Sequence, residues 1–95
     1  MTLKERFEQF EDDYIKFEEK VLNKKSKRPD IHAFLLLDEL VDGDSDIVSA
    51  AEHDEIYLGI DCDVLAGVVT DAQIHELVCC GVRYCQDYDC LCMFV

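Results

Sequence analysis

The chain has 95 residues, 49% of them hydrophobic and 33% charged, which suits one globular domain and sets it apart from disordered chains. Its formal net charge of −13, from 22 acidic and 9 basic residues, argues against direct binding of nucleic acid or an anionic membrane and points to basic protein partners. No apolar run is long enough to span a bilayer and the start, Met1 to Phe10, has no secretory apolar segment, so a cytoplasmic location is expected, with the six cysteines as reduced thiols.

Residues 2 to about 24 read as one helix. Thr2 and Glu5 make a capping-box pair, and Leu3, Phe7, Phe10, Tyr14, Phe17 and Val21 recur at alternating spacings of four and three. That seam predicts packing within the domain; the alternative is a homodimer joined at Phe7, Phe10, Tyr14 and Phe17. The basic run from Asn23 to Pro29 reads as a loop. A second helix, Asp30 to about Val41, is apolar on most faces and is expected to be the central buried one, ended by Asp42-Gly43-Asp44.

An acidic loop follows, and then Ile56, Leu58 and Ile60 alternate with less apolar residues, predicting a strand over Glu55 to Ile60. A short helix is expected from Asp63 to Val69. A longer one is capped by Thr70 or Asp71, with Ile74, Leu77 and Val78 inward and Gly81 terminating it. Val82 to Cys85 and Cys90 to Val95 form a hairpin through Gln86-Asp87-Tyr88-Asp89. Val82, Tyr84, Leu91 and Met93 then share one face, while Arg83, Cys85, Cys90 and Cys92 share the other. The order α-α-β-α-α-β-β predicts an α+β fold, helices packed on a short, mainly antiparallel three-stranded sheet. A single domain, 1–95, is expected, in which 1–28 form an amphipathic helix and basic loop and 29–95 an acidic core with a C-terminal hairpin.

The charge is unevenly placed. Residues 1–28 hold eight Lys/Arg and seven Asp/Glu, whereas residues 29–82 hold thirteen Asp/Glu and no Lys or Arg. The acids are densest at Asp38, Glu39, Asp42, Asp44, Asp46, Glu52, Asp54, Glu55, Asp61 and Asp63. Carboxylates on adjacent helical turns lie roughly 5–6 Å apart and those on alternate strand residues roughly 6.5 Å apart, so such a surface approximates the phosphate spacing of a nucleic acid. These ten residues are the candidate partner-binding set. The simpler alternative is a solvated face that keeps the protein soluble.

Chemical motifs are incomplete. Asp42, Asp44 and Asp46 open like a calcium loop, but Ile47 stands where glycine is required and His53 where the bidentate acid is required. His75, Cys79, Cys90 and Cys92 are candidate zinc ligands without a paired CxxC; the alternative is buried thiols. Cys85 and Cys90 should face each other across the hairpin. Cys80, on the helical face of Gln73 and Glu76, is expected to be exposed. His32, His53 and His75 lie in no nucleophile motif and read as surface or capping histidines. The glycines at 43, 59, 67 and 81 are isolated, so no phosphate loop and no cofactor are expected, and catalysis is not.

The stretch Ser49 to Ala66, SAAEHDEIYLGIDCDVLA, together with the ending CGVRYCQDYDCLCMFV resembles small proteins encoded by bacteriophages and prophages. The profile of a short, acidic, compact chain is similar to that of anti-CRISPR and other anti-defence proteins. That resemblance implies a stoichiometric inhibitor in the host bacterial cytoplasm that binds a basic effector, for example a Cas protein or CRISPR surveillance complex, and blocks its nucleic-acid path through the acidic middle block. A zinc-stabilised interaction domain and a dimerising assembly module are the alternatives.

Overall fold

The computed structural model describes residues 1–95, and its first helix is short. α1 spans Leu3–Glu8, with Thr2 and Glu5 forming the expected capping box. A 3-10 turn over Glu11–Asp13 and a one-turn α2, Phe17–Lys20, follow in place of one continuous helix over 2–24. The reason is dimensional. A straight 23-residue helix would be about 34 Å long, yet the molecule measures only 29 × 28 × 27 Å. By breaking at Phe10 and Ile15 the segment wraps the core and buries Leu3, Phe7, Phe17 and Val21 together, with Phe10 and Tyr14 packed at their margin.

The break at Ile15 is costly. Its φ of 58° puts a β-branched residue in the left-handed region, held there as its N–H donates to Val78 O at 3.2 Å.

α3 spans Pro29–Leu40 and buries His32, Ala33, Leu36 and Leu37, while Ile31 and Leu35 face outward. The central helix is instead α5, Asp71–Cys79, which touches α1, α2, α3 and the 3-10 turn. The short length of α5 and its four buried residues, Ile74, Leu77, Val78 and Cys79, allow elements on several sides of it. Thr70 and Gln73 close its N-terminus as a capping box. At its other end Gly81, at φ 95°, lets Val82 N–H donate to Leu77 O and Gly81 N–H to Val78 O, both 3.0 Å. Between them in the chain, α4, Cys62–Val68, is capped by the Asp61 carboxylate on the N–H groups of Asp63 and Val64.

The sheet has four strands in the order β1-β2-β4-β3, all neighbours antiparallel: β1 Val48–Glu52, β2 Glu55–Leu58, β3 Arg83–Cys85 and β4 Cys90–Phe94. The class is α+β, with one strand more than the sequence pattern indicates. β1 was hidden in the acidic loop because all five of its residues are exposed, so it has no buried face to impose alternation. The hairpin faces are as expected. Leu91 and Met93 join Leu58 in the core beneath the helices, and Cys85, Cys90 and Cys92 lie on the opposite face with Arg83.

His32 is fully buried and is neither a surface nor a capping residue. Its Nδ1 accepts the Lys25 N–H at 3.0 Å, so its proton sits on Nε2, which donates to Glu76 Oε1 at 3.0 Å; Phe17 meets the ring edge-on. This ring ties the basic loop to α5.

Two substitutions test these readings. Ile15→Asn, which suits a left-handed backbone, should raise unfolding free energy by about 1 kcal/mol. His32→Leu, which strips both hydrogen bonds from a dry site, should lower it by about 2 kcal/mol or more. Urea unfolding followed by circular dichroism measures both.

Candidate interaction surface

Strand order decides which acids meet. At one end of the sheet β1 begins, β2 ends and the β3–β4 loop turns; at the other lie the β1–β2 turn, the start of β3 and the end of β4. Gly59 N–H donates to Ile47 O at the first end, and Val95 N–H donates to Asp54 O at the second. The loops that leave the first end carry Asp42, Asp44 and Asp46 before β1, Asp61 and Asp63 after β2, and Asp87 and Asp89 between β3 and β4, while the Tyr88 side chain of the last loop reaches back over the sheet to Glu52. All seven are exposed, and none forms an ion pair. Asp61 caps α4 and Asp89 accepts the Tyr84 hydroxyl at 3.3 Å; the other five have no side-chain acceptor role.

The ten acids singled out from the sequence are thus not one patch. Glu52, Asp54 and Glu55 lie at the opposite end, separated by the length of β2, about 13 Å for four residues. Glu55 pairs with Arg83, whose guanidinium also stacks on the Phe94 ring at 4.1 Å. Glu39 is held by Lys25 at 2.9 Å. Asp38 is exposed and without a cation on the last turn of α3. Asp87 and Asp89 were missed because they lie outside the cation-free stretch 29–82, and only strand pairing brings them to Asp61.

The proposed dimer seam is largely consumed inside the molecule: Phe7 and Phe17 are buried in the core, and Phe10 stacks on His75 with ring centroids 4.9 Å apart. The candidate zinc ligands are separated too. Cys79 lies in the core on the helix side of the sheet and Cys90 and Cys92 on the other face, while His75 Nε2 is 2.7 Å from Asp13 Oδ2. That contact holds the Asp13 carboxyl below the usual range. No three His, Cys, Asp or Glu side chains converge as a metal site, the calcium-like loop included. No helix is long and apolar enough to cross a membrane.

Cys85 and Cys90 are cross-strand partners, as their spacing indicates, and all six cysteines are free thiols. Cys80 is buried, contrary to the helical-face reading, because the face of α5 that carries Glu76 is covered by α3, whose His32 meets Glu76. Burial pushes its thiol up to about 12, and those of Cys62 and Cys92 to about 11. An open groove of about 500 Å³ between α1 and β3 has Phe7, Tyr14 and Tyr84 in its wall and Lys4, Glu8, Glu11 and Arg83 around it. Its mixed rim holds no nucleophile and base in contact.

The chain matches no protein-family model, no curated protein and no solved structure.

The thiol shifts set an alkaline limit. Because the folded state holds these protons more tightly than the unfolded chain, their contribution is complete below about pH 8.5 and is lost as pH rises toward 11–12. The urea midpoint should therefore fall between about pH 8 and pH 11. In Cys80→Val, which removes the most strongly raised thiol, the fall should be shallower.

Proposed function

We propose that this protein is a non-enzymatic inhibitor of the anti-CRISPR or anti-defence kind, which binds a basic, nucleic-acid-handling effector and occupies its nucleic-acid groove. One observation carries the reading: the seven exposed aspartates in the loops at one end of the sheet, Asp42, Asp44, Asp46, Asp61, Asp63, Asp87 and Asp89, form no ion pair. Elsewhere the fold does neutralise acids, with Arg6 on Asp71, Lys25 on Glu39 and Arg83 on Glu55. Leaving seven without a partner in a chain of charge −13 adds self-repulsion, which a basic groove would relieve.

The mechanism is competition. Lysines and arginines that serve phosphates pair with these carboxylates, the field of the whole molecule steers the encounter, and added salt screens it. The binding end is built from three loops held by a rigid sheet, so little ordering is required when the partner docks.

The test is binding to a panel of purified Cas and other nucleic-acid effectors, with guide or target nucleic acid as competitor. A true partner should lose about tenfold or more in affinity between 50 and 200 mM salt. The triple charge reversal Asp44→Lys, Asp46→Lys, Asp63→Lys, at residues with no side-chain hydrogen bond, should abolish binding, while Glu8→Lys, on α1, should have little effect. Affinity indifferent to both salt and the triple reversal would refute the proposal.

A further inference from the structure

The two edges of the sheet are unlike. β3 has only three residues, and α1 packs along it. β1 has five, all exposed, with no lysine or proline; its register shifts between Val48 and Ala50, and the regular stretch left open runs from Ala50 to Glu52. Its central residues, Ser49, Ala50 and Ala51, are small and leave the main chain accessible.

The turn sets which groups face out. His53 and Asp54 have φ of 53° and 62°, a two-residue turn with both central residues left-handed. In such a hairpin the flanking Glu52 and Glu55 exchange both main-chain hydrogen bonds, so Ala51, paired with Ile56, directs its N–H and C=O away from β2.

Charge selects what can lie there. Asp44 and Asp46 precede the strand and Glu52 and Asp54 end it, with no Lys or Arg between. A second copy of the chain would bring −13 against −13. An extended segment bearing Lys or Arg would find opposite charge at both ends. Beside the strand, a groove of about 430 Å³ runs between Ala50, Glu52, Tyr57 and Tyr88. The Tyr57 and Tyr88 rings meet edge-on with centroids 5.2 Å apart, and the Tyr88 hydroxyl donates to Glu52 Oε1 at 3.1 Å. An apolar wall ending in a carboxylate fits the stem and head of a long basic side chain.

We propose that β1 accepts an extended, lysine- or arginine-bearing segment of a partner protein as a fifth strand, one basic side chain lying along Tyr88 with its charge on Glu52. The sign of the partner rests on the acidic-surface reading above; what is added is that main-chain hydrogen bonds at Ala51, and not charge alone, hold it.

Isotope-labelled full-length protein is titrated with a capped heptapeptide alternating lysine and valine, and with the same peptide N-methylated at every backbone amide, which keeps the charge and removes the donors from both edges of the strand. The first should shift the resonances of Ser49 to Glu52, slow hydrogen exchange at the Ala51 amide, and bind several-fold more tightly than the second, which cannot donate to the Ala51 carbonyl. Tyr88→Ala, at an exposed loop residue, should weaken the first peptide several-fold. Equal binding of the two peptides overturns strand addition and leaves the electrostatic reading standing, whereas loss of salt dependence in the effector titration overturns that reading instead. Failure of either peptide to bind, shifts confined to β3, or a concentration-dependent dimer that protects Ala51 without peptide would also overturn it.

Discussion

The pairing of β2 with β4 is the contact on which the other arrangements depend. It joins Glu55 to Phe94 and Leu58 to Leu91 across more than thirty intervening residues, and it places β4 between β2 and β3. The chain leaves β2, builds α4 and α5, and returns as β3 on the far side. Because β4 then fills the gap, β1 and β3 become the edges, and the helices between β2 and β3 come to lie over Leu58, Leu91 and Met93. The same insertion brings three loops from distant parts of the chain to one end of the sheet.

Around that sheet the aromatic N-terminal segment acts as a wrapping and not as a rod. α5 offers several faces, and α1, the 3-10 turn and α2 each take one of them. Contact with the core is gained at the expense of a left-handed Ile15 and the loss of a continuous helical ladder, an exchange that tertiary burial can sustain and isolated helix propensity would not. His32 then fastens the basic loop to the same helix through Glu76, so one buried imidazole links three segments.

The basic residues are used locally. Arg6 reaches the carbonyls of Ala66 and Val69 as well as Asp71, Lys25 reaches Glu39, and Arg83 lies over Phe94 to reach Glu55. Each of these three cations thereby supports packing between elements. No Lys or Arg forms an ion pair with the aspartates at the sheet end, whose mutual repulsion is relieved by solvent, salt or a partner.

Composition, charge blocks and local punctuation determined much by themselves. The α+β class, the capping box at Thr2, a cap at Thr70 or Asp71, the glycine stop at Gly81, the two faces of the C-terminal hairpin and the absence of cations over 29–82 are all short-range properties, set by neighbours within a few residues. What only the tertiary structure decided involves distance and sidedness. β1 carries no burial signal because it lies at an edge. His32 and Cys80 look like surface residues on their own helices until other segments cover them. Asp87 and Asp89 join Asp46 and Asp61, while Glu52 and Asp54 are carried to the opposite end, because strand pairing relates residues that no local pattern connects. Carboxylates near in sequence were separated and distant ones gathered for one reason: an antiparallel sheet sorts its loops by strand end, not by position in the chain.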